Sequence, residues 1–103
     1  MASINKLMKQ AMRAQQQAQE VEAALASRTV EASSGGGAVK VVATCKGQVK
    51  SIKIDPEAVD PEDVESLEDM VLLAVNNAID EGQKIQQQEM SKVTAGFNLP
   101  GMG

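Results

Sequence analysis

The feature that most constrains the fold of this sequence is a seam of small and apolar side chains near its start. The seam residues recur at alternating spacings of three and four, which places them on one face of an α-helix over about three heptads. They are Ile4, Leu7, Ala11, Ala14, Ala18, Val21 and Leu25. Neither glycine nor proline interrupts the segment, and Ser3 can cap its start. The sequence therefore predicts a helix over residues 3–26, with a length of roughly 35 Å. Because the chain has only 103 residues, we expect this helix to project beyond its own core.

Apolar and polar residues alternate in the middle of the chain, which predicts a three-stranded antiparallel meander. The expected strands are 28–34, 38–45 after three consecutive glycines, and 49–54 after a tight turn at Lys46–Gln48. Alternation assigns one set of side chains to the buried face: Val39, Val41, Ala43, Cys45, Ile52 and Ile54. The same alternation directs Lys40, Lys46 and Lys53 toward water.

A second long helix is predicted over residues 61–93, with Asp60 as its cap and Pro61 in its first position. Its segment Met70–Val75 is apolar on every side, which a helix lying on one small sheet does not require. We expect this segment to be covered by its own sheet and by a second subunit. The predicted fold is a single α+β domain over residues 1–94 that forms a homodimer, followed by a mobile glycine-rich tail at 95–103.

Composition excludes several classes of function. No apolar run approaches the roughly 20 residues that a membrane helix needs, and the start shows no signal peptide, so we expect a cytoplasmic protein without a membrane partner. With no histidine and one cysteine, the usual zinc sites and histidine-dependent catalytic triads cannot form. We expect no enzyme activity, metal, cofactor or small-molecule substrate. Phe97 is the single aromatic residue, too little for stacking the bases of single-stranded nucleic acid.

Three conspicuous motifs have ordinary structural explanations. The segment Ser33–Lys40 is glycine-rich, but it leads into a strand and lacks the spacing of a phosphate-binding loop. The acids within residues 62–69 fall in the first turns of the second helix, where negative charge is favourable. Cys45 shares a face with apolar residues and is expected in the core or a dimer interface.

The net charge of −4 conceals a strong asymmetry. Residues 1–54 hold eight basic and three acidic side chains, a net +5, whereas residues 55–103 hold two basic and eleven acidic ones, a net −9. Lys6, Lys9 and Arg13 form one stripe on the first helix beside its apolar seam, and no acid precedes Glu20. This stripe is either a solubilising surface or an edge that contacts the phosphates of a nucleic acid.

Several segments together resemble the YbaB/EbfC family of bacterial nucleoid-associated proteins, and the resemblance covers essentially the whole chain. They are Gly37–Val41 in the second strand, "SIKIDPEAVD" after it, "LEDMVLLAVNNA" in the second helix and the Gly96–Gly101 ending. The resemblance implies a homodimer of α-β-β-β-α subunits with tweezer-like projecting helices. It also implies that the protein binds duplex DNA with loose or absent sequence preference, lies in the nucleoid and has no enzyme activity.

Residue roles follow from this resemblance together with the strand pattern. Lys6, Lys9 and Arg13 are the expected leading DNA contacts, and Lys46 and Lys53 are further expected DNA-binding residues that add positive charge from the sheet. The expected dimer interface consists of Val39, Val41, Cys45, Met70, Leu73 and Ala74. The second helix is acidic, which does not suit a DNA-binding surface, and its only basic residues are Lys84 and Lys92. An acidic homodimeric adaptor, with unknown protein partners and weak or no DNA binding, is therefore the alternative.

Overall fold

Two long helices flank a three-stranded sheet. The structure, a computed structural model, describes residues 2–96 and the side chains of residues 3–95. In chain order the elements are α1 (Ala2–Ser27), β1 (Thr29–Ser34), β2 (Val39–Thr44), β3 (Val49–Ile54) and α2 (Val64–Gly96). Single 3₁₀ turns occupy Gly35–Gly37 and Pro56–Ala58. The predicted α+β order is confirmed, with strand ends that differ from the prediction by a residue at most.

The sheet is an antiparallel meander with the order β1-β2-β3. Ser34 pairs with Val39 across the β1–β2 turn, where three glycines with positive φ reverse the chain. Val39 in turn pairs with Ile54 on β3, and the register shifts by one residue between Val42 and Ala43. Lys50 of β3 falls at this shift, because Ser51 pairs with Val42 whereas Val49 pairs with Ala43.

The core lies between α2 and the first two strands. Val39, Val41 and Ala43 of β2 are completely buried against Ala74 and Ala78 of α2. The contacts of α2 with the sheet are concentrated on β1 and β2. The prediction that all inward-facing residues of the sheet are buried is therefore wrong for β3.

Two residues of β3 show the consequence. Ile52 and Ile54 pair with Val41 and Val39 and share their face, yet they remain 44% and 38% exposed. Strand alternation predicts the face of a side chain correctly, but it does not predict how far the covering helix extends across the sheet.

Close contact between α2 and the strands depends on small residues. Gly82 is buried, and a Cβ atom added there would lie 3.1 Å from both the Thr44 carbonyl oxygen and the Cys45 Cα atom. Ser34 Oγ donates a hydrogen bond of 2.5 Å to the carbonyl oxygen of Met70. The free thiol of Cys45 lies buried beside this helix–strand contact.

The second helix begins and ends later than predicted. Asp60 accepts a hydrogen bond from the Glu62 amide at 3.0 Å and closes a turn, so it does not cap the helix. Asp63 instead accepts from the Ser66 amide at 3.3 Å, and the Ser66 hydroxyl donates to its other oxygen at 2.7 Å. The predicted tail began at residue 95, but residues 95 and 96 belong to α2. The remainder of that tail, residues 97–103, lies outside the described residues.

The first helix has two halves with different environments. Ala14, Ala18 and Val21 are half-buried and Leu25 is buried, where α1 packs against α2. Residues 3–13, which we call the arm, are exposed at every position. The molecule measures 74 × 24 × 16 Å, so it is strongly elongated. Neither long helix, within the part of the chain that the structure describes, carries an apolar segment sufficient to cross a lipid bilayer.

Candidate nucleic-acid interface

The arm places three cations on a free helical surface. Lys6, Lys9 and Arg13 are exposed and form no ion pair among the described residues. The nearest acids along α1 are Glu20 and Glu22, which lie about two turns or more from Arg13 in the direction of the body. The cations are thus available to an external anion.

The basic and apolar residues of the arm occupy opposite faces of the helix, so the basic residues do not lie beside the apolar seam as expected from the sequence. At 100° per residue, the three cations fall within about 60° of one another around the helix axis. The apolar residues centre roughly 165° away from them. This apolar stripe consists of Ile4, Leu7, Met8, Ala11 and Met12. An anion can therefore contact the basic face without touching the apolar stripe.

Lys46 and Lys53 lie on the body of the molecule rather than on the arm. Lys46 stands in the turn between β2 and β3, and its ammonium group is 3.5 Å from a carboxylate oxygen of Glu22. This exposed ion pair ties the turn to α1 and offsets the positive charge of Lys46. The structure therefore separates Lys46 from the free cations of the arm.

Lys53 lies on the outer face of the sheet, away from α2. Lys40 stands directly opposite it across the β2–β3 pair, and neither lysine forms an ion pair within the described residues. A shallow concavity of about 230 Å³ lies between these lysines and Glu31, Val42 and Ser51. The strand pattern predicts that Lys40 points outward. The β2–β3 register is needed to show that Lys40 is the neighbour of Lys53.

The acidic residues at the start of α2 lie away from the arm. The Ser34–Met70 hydrogen bond places the start of α2, with its acids, at the end of β1. At the opposite end of β1, the Arg28 guanidinium lies 3.7 Å from Glu89, in the C-terminal half of α2. The arm extends from this second end through α1. Charge is therefore separated along the molecule, which explains how an acidic chain carries a basic region.

The predicted dimer-interface residues divide into two groups. Val39, Val41, Cys45 and Ala74 are 0% exposed within a single chain. Their burial belongs to the core of the subunit, so they present no surface to a second subunit. Two others lie nearer the surface: Met70 is half-buried, and Leu73 is 53% exposed.

An apolar groove lies where β3 is left uncovered by α2. Its volume is about 410 Å³, and its lining is almost entirely apolar: Ile54, Leu67, Val71, Leu72 and Val75, with Glu68 at its side. Leu72 is 60% exposed. Sequence reasoning missed this groove because it assigned Ile54 to a closed core. The all-round apolar character of Met70–Val75 was the signal that pointed to it.

Comparison with known proteins decides the family. The model of the YbaB/EbfC DNA-binding family matches residues 1–97. The chain belongs to this YbaB/EbfC DNA-binding family. Its membership confirms the resemblance drawn from the strand, second helix and C-terminal motifs.

Relatives of this YbaB/EbfC chain align over nearly their full lengths. A "Nucleoid-associated protein" of Moorella thermoacetica is 50% identical over 101 residues, which cover 98% of this chain and 97% of the relative. A "Nucleoid-associated protein" of Pelotomaculum thermopropionicum is 47% identical over 100 residues, with 97% and 95% covered. The chain is thus similar to these proteins along its whole length.

A solved structure supports the fold of the family member. An uncharacterized protein, HP0035 from Helicobacter pylori, superimposes with a TM-score of 0.73 at 17% identity. The superposition covers 91% of this chain and 96% of the Helicobacter chain. At that identity the likeness concerns the fold alone.

Proposed function

We propose that this protein is a bacterial nucleoid-associated protein that binds duplex DNA as a homodimer, with little or no sequence specificity. The observation that carries the proposal is the arm, where Lys6, Lys9 and Arg13 share one exposed face without an intramolecular ion pair. Family membership and the names of the two relatives point in the same direction. The same names support a location in the nucleoid, within the cytoplasm.

Phosphate contact explains the arm better than recognition of bases. Lysine acts as a flexible point charge, and phosphate contacts position a protein on DNA without reading sequence. Each neutralised phosphate releases counterions and steepens the dependence of log K on log salt concentration by about 0.9. A dimer presents two arms and hence roughly six such contacts, so we expect weak binding that falls steeply with salt. Lys53, with Lys40 beside it, adds a diffuse positive field on the sheet.

The apolar groove supports the homodimer. Its lining residues expose an apolar surface between β3 and α2, on which Leu72 is the most exposed side chain. A second copy of this chain, related by a twofold axis, would cover the groove with the same surface. We place the dimer interface here. Met70 lies outside it, because its carbonyl oxygen accepts the hydrogen bond from Ser34 at the β1 side of the sheet. This arrangement leaves both arms free for DNA.

Salt titration of DNA binding tests the role of the arm. Replacing Lys6, Lys9 and Arg13 with glutamine removes the charges and retains good helix formers. We expect the slope of log K against log salt concentration to fall by about five, with retardation of random duplex DNA largely lost. Fluorescence anisotropy over a range of salt concentrations measures the slope.

A matched variant separates local contact from net charge. Lys50→Gln, Lys84→Gln and Lys92→Gln remove the same charge from outside the arm, so the slope should change far less. Equal losses in the two variants would show that only the overall charge matters. If the unmodified protein fails to bind DNA at low salt, the adaptor alternative replaces this proposal.

A further inference from the structure

The arm carries a second uncovered apolar surface, separate from the groove. In its apolar stripe Ile4 is 59% exposed, Leu7 54%, Met8 59% and Met12 68%. No described residue of the chain covers this stripe. Large apolar side chains that are adjacent on one helix face commonly mark an interaction site.

The stripe continues a seam that already packs against a helix. The same alternation of three and four residues runs from Ile4 to Leu25, and α2 covers its second half. Ala14, Ala18 and Val21 are half-buried there. Helices with this spacing pack side by side through their seams. The uncovered half of the seam therefore has the pattern of a surface for another helix.

The separation of cations from the apolar stripe makes the arm of a second copy a suitable partner, provided that DNA phosphates offset the repulsion between the two positive arms. Because Lys6, Lys9 and Arg13 lie on the opposite face, two arms can join through their stripes while their cations point outward. A membrane surface fits less well, since cations that face away from the apolar stripe would not reach anionic headgroups. Two paired arms would present basic faces on both outer sides, where DNA phosphates can neutralise them.

We propose that the arms of neighbouring dimers pack against each other through Ile4, Leu7, Met8 and Met12 when they are bound to the same DNA, which makes binding cooperative. This inference rests on the proposed function. Two arms would bury on the order of 500 Å² through these side chains, well below the roughly 1,200 Å² of an independently stable interface. DNA supplies the missing stability because it holds the dimers at high local concentration.

The groove and the stripe together give each subunit two self-complementary surfaces. The groove joins two subunits into a dimer, and the stripe joins one dimer to the next. Two different twofold contacts on one chain generate an open array rather than a closed ring when their axes do not converge. DNA is then coated by successive dimers instead of being occupied at scattered sites.

Cooperativity on long and short duplexes tests the proposal. The variant carries Leu7→Gln, Met8→Gln and Met12→Gln, which keep the helix and all three cations. Titration of a duplex that accommodates many dimers should be sigmoidal for the unmodified protein. For the variant we expect a Hill coefficient near unity and a shift in half-saturation of at least about tenfold, or about 1.4 kcal/mol. On a duplex that accommodates one dimer, the two proteins should bind equally.

A control variant with Asn5→Ala, Gln10→Ala and Gln17→Ala alters the arm and its continuation outside the stripe and should retain the cooperativity. The proposal is overturned if the unmodified protein binds the long duplex without cooperativity, or if the stripe variant stays as cooperative. It is also overturned if cooperativity is abolished by removal of residues 97–103 but not by the stripe substitutions, since that segment would then join neighbouring dimers. Failure to bind even the short duplex would instead refute the proposed DNA-binding function.

Discussion

Small residues at single positions decide how closely α2 approaches the sheet. Ala74 and Ala78 fill the space above β2, and Gly82 lies against the backbone of Thr44 and Cys45. Ala74, Ala78 and Gly82 recur at every fourth position, which places them on one face of α2. This spacing does not show that Gly82 meets the backbone at the end of β2, because Thr44 and Cys45 lie 38 and 37 positions away from it in the sequence.

Replacing Gly82 with alanine tests this close contact. Alanine normally favours a helix interior over glycine by about 1 kcal/mol. Here the added methyl group would lie 3.1 Å from two backbone atoms that cannot turn aside. We expect a net loss of about 1–3 kcal/mol in the free energy of unfolding, measured by urea denaturation. Gln83→Ala on the neighbouring exposed position should change this free energy by less than about 0.5 kcal/mol. A more stable Gly82→Ala protein would contradict the contact.

At the scale of elements, the sequence located both helices but misplaced the start of the second. Two Asp residues precede α2, and each can close a turn or cap a helix. The Asp60-Pro61 pair has the stronger helix-start pattern, because proline is favoured at the first helical position. In the structure Asp60 closes the turn before α2. Asp63 caps the helix, because its carboxylate accepts hydrogen bonds from both the backbone amide and the hydroxyl of Ser66.

Alanine substitutions distinguish the two positions. Asp63→Ala removes the helix cap and should lower the free energy of unfolding by about 1 kcal/mol. Asp60→Ala removes a hydrogen bond in an exposed turn, so its effect should be smaller, about 0.5 kcal/mol. Thermal denaturation followed by circular dichroism measures both. If Asp60→Ala lowers the free energy of unfolding more than Asp63→Ala does, Asp60 is the helix cap, as the sequence pattern predicts.

At the scale of the whole molecule, two separate exposed apolar surfaces and one free basic face organise an elongated subunit. The groove lies at the sheet, the stripe lies on the arm, and the cations occupy the opposite side of that arm. One chain can therefore join a partner through its body without obstructing its basic face. Such separation suits a protein that assembles on a polyanion.

The groove predicts the oligomeric state. Leu72→Gln with Ile54→Thr keeps a helix former in α2 and a β-branched residue in β3, but replaces two exposed apolar side chains that line the groove in each subunit. We expect the dissociation constant of the dimer to rise at least about 100-fold, with a monomer detected at micromolar concentration. Size-exclusion chromatography with light scattering measures the mass. Val59→Gln with Val64→Gln changes two exposed valines outside the groove and should leave the dimer intact. If the variant at Leu72 and Ile54 remains dimeric, the interface lies elsewhere on the subunit.

The order of elements, the strand faces and the basic face of the arm can be predicted from the sequence, because these depend on periodicity and composition within short segments. Lys6, Lys9 and Arg13 share a helix face by spacing alone. The tertiary structure decided which of the predicted inward residues are covered. Val39 is buried whereas its strand partner Ile54 borders an open groove, since α2 crosses only part of the sheet. It also paired Lys46 with Glu22 and left the arm cations free. These outcomes depend on where distant elements pack, which local patterns do not encode.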